Sequence, residues 1–253
     1  MTRFTEWCSQ TEIPSSKHKL QVLVATPAKR GHAVAVVAAS IPENYSSPER
    51  IAGLLSRLGR TAVAKHIAEK LPTSLSIKSG DLGEILCTSY VHEATKFNLG
   101  INRLQWKDHR NMSMRGDDVL AFSLGATGQG LEVLKAEVKS RAKMQTSVIE
   151  EARAALSDHQ ELPSAHAIGF VADRLGELGN LKLQDALDDV QLNKGFRKSQ
   201  VTHMLFTFSG NAPSKMLSAN LIGYAGNVSQ HYVGIHISDH KNFINDVFAA
   251  VEV

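Results

Sequence analysis

The chain has 253 residues, enough for one large domain or two small ones with a substantial hydrophobic core. Its 43% hydrophobic and 21% charged residues exclude a disordered chain, and its net charge of +3 permits nucleic-acid binding without indicating it. Two cysteines, Cys8 and Cys87, provide no disulfide framework, and the N-terminus lacks the pattern of a secretory signal. No apolar run reaches the length of a membrane span, so we expect a soluble cytoplasmic protein.

The N-terminal part of the chain predicts a hairpin followed by a helix. The apolar runs Leu20 to Ala25 and Ala33 to Ala39 flank a turn, which is typical of a β-hairpin. Pro48 suits the first turn of a helix with Ser47 as its N-cap, and apolar residues at helical spacing extend this helix to about Lys70.

The next helix is predicted to open at Ser79 and to carry Glu84. The segment that follows it alternates apolar and basic residues. Ile101, Leu104 and Trp106 favour a short strand here. The basic residues of this segment suit either phosphate contacts or an ordinary charged surface, and they are Arg103, Lys107, His109, Arg110 and Arg115.

The clearest pattern is a second hairpin. The apolar runs Val119 to Leu124 and Leu131 to Val138 flank the glycine-rich sequence GATGQG. This sequence lacks the Gly-Lys-Ser/Thr ending of a phosphate-binding loop and leads into a strand, so it predicts a hairpin turn. Beyond the hairpin, residues up to Ser157 predict a helix.

Three later segments complete the elements that the sequence predicts. Buried strands are expected at Val201 to Phe208 and at Tyr232 to Ile237, and a terminal helix at His240 to Val251.

Charged residues interrupt both strands of the second hairpin. Asp117 and Asp118 open the first strand, and Glu137 and Lys139 share one face of the second strand because residues two apart point the same way. Desolvating carboxylates costs several kcal/mol unless a cation or donor satisfies them. A hard cation such as Mg²⁺ is a natural partner, and a solvated Glu137–Lys139 ion pair is the alternative.

An aspartate followed by Glu-x-Lys on the next strand resembles the pattern of PD-(D/E)xK nucleases. The resemblance implies an α/β fold, with a mixed β-sheet flanked by helices and Mg²⁺ or Mn²⁺ held by Asp118 and Glu137. Lys139 would orient or deprotonate the attacking water. Asp118 is favoured because it leads directly into the strand, and Asp117 would then face the other way as a solvated neighbour or a turn residue. Asp117 stays open as an alternative ligand because Gly116 replaces the usual proline. Glu84 is either a further ligand, as in several of these enzymes, or a surface glutamate.

The segments GDLGEILCTSYV, RGDDVLAF and LKAEVKSRA, in this order, are similar to the HamA family, the nuclease subunits of the Hachiman anti-phage defence system. This resemblance implies a sequence-nonspecific DNase that a superfamily 2 helicase, HamB, restrains and releases when it senses aberrant DNA. Residues 76–253 would form the nuclease-like domain, against which the hairpin and helix of residues 1–75 pack. The residues expected to contact DNA are Arg115, Arg141, Lys143 and Gln145. For the last three, an ordinary solvated start of the following helix is the alternative.

Two other functions remain open at this point. The fold could be a binding module for DNA or a helicase whose acidic site is vestigial. A self-contained restriction endonuclease is less attractive because no separate specificity domain is visible.

Overall fold

A mixed β-sheet of seven strands lies at the centre of the structure, a computed structural model that describes residues 2–14, 18–125 and 130–251. The order across the sheet is β1-β2-β7-β6-β5-β4-β3. The four central strands run parallel, and the strands outside them pair antiparallel at both edges. The strands are β1 (Cys8–Pro14), β2 (Lys19–Ala25), β3 (Asn98–Leu99), β4 (Val119–Leu124), β5 (Leu131–Arg141), β6 (Val201–Ser209) and β7 (Ser229–His236).

Helices cover both faces of this sheet. The helices are α1 (Phe4–Trp7), α2 (Arg30–Tyr45), α3 (Pro48–Lys70), α4 (Leu75–Ala94), α5 (Thr146–Ser157), α6 (Ala165–Glu177), α7 (Leu181–Asp189), α8 (Ser214–Ile222) and α9 (His240–Ala249). Helices α2, α4 and α9 share a core with one face, and α5 to α8 pack on the other. The predicted α/β class, a mixed sheet flanked by helices, is confirmed.

The second predicted hairpin is present as β4 and β5. Its antiparallel register places Val119 opposite Ala136 and Leu124 opposite Leu131. Strand β5 runs three residues beyond the predicted end, to Arg141, because it also pairs in parallel with β6. Residues 126–129 of the predicted glycine-rich turn lie outside the described residues.

The first predicted hairpin is wrong in its second half. Residues Ala33 to Ala39 belong to helix α2, and the strand over Leu20 to Ala25 pairs instead with β1 and β7. The apolar run was ambiguous because valine and alanine occupy nearly every position. The fully buried side chains, among them Ala33, Val37 and Ile41, recur every four residues, which is the helical period.

Helix α3 is confirmed with its predicted cap, since the Ser47 hydroxyl accepts a hydrogen bond from the backbone N–H of Arg50 at 3.2 Å. Helix α4 begins at Leu75 rather than at Ser79, because the hydroxyl of Ser74 caps it by accepting from the N–H of Ile77.

The strand predicted over residues 101–106 is wrong. Arg103–Trp106 is a 3₁₀ turn, and the edge strand β3 consists of Asn98–Leu99 alone.

The buried strands β6 and β7 and the terminal helix α9 are confirmed. The strands β1 and β2 continue the same sheet as the hairpin, and their side chains share its core, while the domain boundary at residue 75 stays a prediction. In the part of the chain that the structure describes, no helix combines the length and the apolar character needed to cross a membrane.

Candidate active site

Asp118 lies at the entrance of β4, beside the second half of β5. Its carboxylate oxygen Oδ2 accepts a hydrogen bond from the backbone N–H of Val138 at 2.9 Å. The side chain therefore continues the antiparallel ladder one step beyond the pair of Val119 and Ala136. This contact fixes an acidic group at the end of the hairpin, where the sheet would otherwise leave a backbone donor unpaired.

Glu137 and Lys139 lie on one face of β5, as predicted. The Lys139 Nζ is 3.0 Å from Glu137 Oε1 and 2.8 Å from the exposed Glu151 on α5. The side chains of Glu137 and Lys139 are only 17% and 14% exposed. The pair is therefore not a solvated ion pair on an open strand face.

Glu84 is brought to the same region by the close packing of α4 on the sheet. At the neighbouring Gly83, an added Cβ would stand 3.0 Å from Val138 Cγ1, so glycine lets the helix approach β5. Arg103 donates from Nε and Nη2 to the two oxygens of Glu84, at 3.0 and 3.3 Å. With a side chain 15% exposed, Glu84 is not the surface glutamate of the alternative interpretation.

Arg103 contacts three of the acidic residues. Besides Glu84, its Nη2 lies 3.5 Å from Asp118 Oδ1, and its Nη1 donates to the backbone carbonyl of Asp117. The sequence pointed to Arg103 as one of several basic residues, but nothing in its spacing indicated this contact with acids on α4 and at the entrance of β4.

Asp117 faces away from Asp118, as expected, but it is not solvated. Its side chain is 8% exposed, lies 3.4 Å from Lys135 Nζ, and accepts from the N–H of Ser164 at 3.0 Å. Sequence reasoning missed Lys135, although a lysine between apolar residues of a core strand was a usable signal.

Burial and mutual repulsion raise the pKa values of the acids in this group. The pKa values of Glu84 and Glu137 rise to about 7, chiefly through desolvation and further through the charge of Asp118. Burial also raises the pKa of Asp118, opposed by the positive charge of Arg103. The protein therefore does not fully compensate the negative charge of these carboxylates.

The residues predicted to contact DNA have exposed side chains. Arg141 ends β5, Lys143 and Gln145 follow it, and Arg115 precedes Asp118 in the chain and lines the cavity beside the acids. Among the described residues, none of these four forms an ion pair with an acid. Arg141 donates to the carbonyl of its neighbour Ser140.

A cavity of about 430 Å³ opens beside the acids. Glu84, Asp117 and Asp118 line it on one side. Aromatic side chains, among them Trp106 and Phe170, contribute to the rest of its wall. Glu84 and Asp118 are thus reachable from a space large enough for part of a substrate, whereas Glu137 and Lys139 are not among the described residues that line it.

The donors of this group fit a hard divalent cation in their chemistry. Mg²⁺ prefers carboxylate oxygens and often takes only one or two of them, together with water and substrate phosphate. Within residues 2–14, 18–125 and 130–251, however, no three Asp, Glu, His or Cys side chains are arranged to hold a metal ion. Two carboxylates, Asp118 and Glu137, remain as the set that fits, while Glu84 is bound to Arg103.

Comparison with known proteins gives a consistent result across the chain. The family model HamA matches residues 2–251. A curated relative, "Hachiman protein HamA" of Bacillus cereus, is 25% identical over 257 residues, covering 98% of this chain and 90% of the relative. Since the family model matches nearly the whole sequence, this chain belongs to the HamA family.

Proposed function

We propose that this protein is a Mg²⁺-dependent deoxyribonuclease that acts as the effector of a bacterial anti-phage defence system. The observation that carries the proposal is the half-buried group formed by Asp118, Glu137 and Lys139 at the end of the hairpin, with Glu84 beside it. Buried carboxylates with uncompensated charge are costly for a fold, and perturbed acids of this kind cluster at functional sites.

Each member of the group has a role in phosphodiester hydrolysis. Asp118 and Glu137 would hold the metal ion, which when bound lowers the pKa of a coordinated water and neutralises charge on the scissile phosphate. Lys139, held by Glu137 and Glu151, stands ready to orient the attacking water or to stabilise the charge that develops on the phosphate. Mn²⁺ has the same preference for oxygen ligands and could replace Mg²⁺.

Asp117 is not needed as a metal ligand in this scheme. Its carboxylate is bound to Lys135 and to the N-terminus of α6. Both contacts hold the start of β4 in place. This geometry favours Asp118 as the metal-binding aspartate.

The defence role and the partner are inferred from family membership. The Bacillus cereus relative is named as a Hachiman protein. We infer that the present chain serves in such a system and that its activity is coupled to the helicase HamB, which holds it in check until DNA is sensed. The exposed side chains of Arg115, Arg141, Lys143 and Gln145 would contact the DNA backbone around the acids.

The decisive experiment measures DNA cleavage and its dependence on the proposed residues. Purified protein, with and without the helicase, is incubated with plasmid and linear DNA in Mg²⁺ and ATP. We expect cleavage that EDTA abolishes and that Glu137→Ala and Lys139→Ala each reduce at least about a hundredfold. Glu150→Ala is the matched control, because it removes an exposed glutamate of the same helix and leaves both partners of Lys139 in place.

A second function, a catalytically inactive module that binds DNA or the helicase, is favoured by one observation. Arg103 forms an ion pair with Glu84 and lies close to Asp118. Among the described residues, no three acidic, histidine or cysteine side chains are placed to hold a metal ion. If no condition gives cleavage while DNA or helicase still binds, the binding module replaces the nuclease.

A further inference from the structure

The guanidinium of Arg103 is held almost entirely by groups of the candidate active site. Its side chain is 13% exposed and contacts the carboxylates of Glu84 and Asp118 and the backbone carbonyl of Asp117. One buried cation thus lies between two acids that come from different elements, helix α4 and the entrance of β4. A cation in this place competes with a metal ion for the same oxygens.

The segment that carries Arg103 is anchored independently of these contacts. Lys107, just beyond the 3₁₀ turn, places its Nζ 2.7 and 2.6 Å from the two oxygens of Asp81. The hydroxyl of Tyr45 donates to the same carboxylate at 2.6 Å. Because this second ion pair fixes the turn, the Arg103 side chain can change partners without displacement of the backbone.

Arg103 also lines the cavity beside the acids. A guanidinium binds phosphate in the same two-point manner as it binds a carboxylate, so a phosphodiester that enters the cavity offers it an equivalent partner.

We propose that Arg103 is the internal counter-ion of the resting site and exchanges Glu84 and Asp118 for the scissile phosphate when metal binds. This inference rests on the proposed nuclease function. With a bound cation balancing the charge of Glu84 and Asp118, the guanidinium of Arg103 would be free to contact the substrate phosphate. Glu84 becomes available to the metal ion only after this exchange.

Lys139 is the other cation of the group, and its position differs. It contacts Glu137 and the exposed Glu151, and within the described residues no hydrogen bond or ion pair joins it to Glu84 or Asp118, although its charge opposes the rise in the pKa of Asp118. The exchange is therefore assigned to Arg103 alone.

The test separates metal binding from catalysis. Mn²⁺ binding to the full chain is measured by titration calorimetry without DNA, for wild type, Arg103→Gln and the control Arg110→Gln. Arg110 is a basic residue of the same segment whose Nη1 donates to the backbone carbonyl of Ala68. Removing the competing cation should tighten Mn²⁺ binding roughly tenfold in Arg103→Gln and leave the control unchanged. Cleavage at saturating Mn²⁺ should fall in Arg103→Gln, because the phosphate contact is lost.

Weaker or unchanged Mn²⁺ binding in Arg103→Gln would overturn the proposal, since a residue that merely organises the acids would lower metal affinity when removed. Circular dichroism checks that the variant is folded. If it is not, Arg103→Met takes its place: this variant also removes the charge and keeps a side chain of similar length, so it should tighten Mn²⁺ binding, and weaker or unchanged binding there overturns the proposal equally.

Glu137→Ala distinguishes this failure from failure of the nuclease function. If it abolishes Mn²⁺ binding and cleavage while Arg103→Gln leaves Mn²⁺ affinity unchanged, the nuclease stands and the exchange does not. If neither wild type nor Arg103→Gln binds Mn²⁺ or cleaves DNA, both are wrong.

Discussion

Two acidic residues of helix α4, Asp81 and Glu84, lie one turn apart and each pairs with a basic residue of the same segment. The carboxylate of Asp81 is buried and fully paired: Lys107 contacts both of its oxygens and Tyr45 donates a third hydrogen bond. Glu84 shares Arg103 with Asp118 and borders a cavity. The first arrangement gives the buried carboxylate three hydrogen bonds and fixes the segment, although burial still raises the pKa of Asp81, whereas the second leaves excess negative charge where a cation and a substrate can enter.

The same division recurs at the hairpin. Asp117 is bound to the buried Lys135 and to the N-terminus of α6, while its neighbour Asp118 contacts Arg103 and the backbone N–H of Val138; both aspartates line the cavity. In both cases a structural acid lies beside a candidate functional one. The following predictions test whether the two kinds of acid differ as the contacts indicate.

The largest change in stability is expected at the ion pair of Lys107 and Asp81. Lys107→Ala leaves Asp81 buried without its cation and should lower the free energy of unfolding by about 3–5 kcal/mol. Urea denaturation at neutral pH measures the change. Arg110→Ala, at a basic residue of the same segment outside these ion pairs, should stay within about 0.5 kcal/mol of wild type. A loss as small as the control's would mean that the Asp81 pair does not anchor the segment.

A smaller change in stability is expected when the pH rises, because Glu84 loses its proton in the folded protein. Its pKa in the folded protein is raised to about 7, above the usual value of about 4.3 in an unfolded chain. Between these values the folded state binds more protons, so stability falls as pH rises. Glu84→Gln removes this dependence and should gain on the order of 1–2 kcal/mol relative to wild type between pH 5 and pH 8.

Urea denaturation in EDTA at both pH values checks this prediction. Glu150→Gln, at an exposed glutamate of α5, is the control and should track wild type at both pH values. If Glu84→Gln and the control respond to pH alike, the charge at Glu84 is better compensated than the contacts indicate.

An effect on stability of similar size and opposite sign is expected at Asp117. Asp117→Asn weakens the contact with Lys135, whose Nζ keeps its backbone carbonyl partners, and should cost about 1–2 kcal/mol. Mn²⁺ affinity should not change, whereas Asp118→Asn should lose Mn²⁺ binding. Titration calorimetry on both variants gives the comparison, and a loss of binding in Asp117→Asn would make Asp117 a metal ligand.

The parts of this site that the sequence could predict are local. The hairpin and the shared face of Glu137 and Lys139 follow from a period of two and from residues close in the chain. The contacts of Arg103 and Lys135 bring together residues from separate elements, and no spacing in the sequence encodes them. Helix α2 was missed for a different reason, because a run of valine and alanine fits a strand as well as a helix.

The 3₁₀ turn that carries Arg103 also contains Trp106, one of the two tryptophans of the chain. The other, Trp7, is fully buried against Phe4 and Phe243 in the core of the sheet's opposite half. Trp106 is only half-buried and lines the cavity next to the acids. The intrinsic fluorescence of Trp106 can therefore report on binding. A change in tryptophan fluorescence on adding a divalent cation or an oligonucleotide would arise from the Arg103 segment, without any attached label.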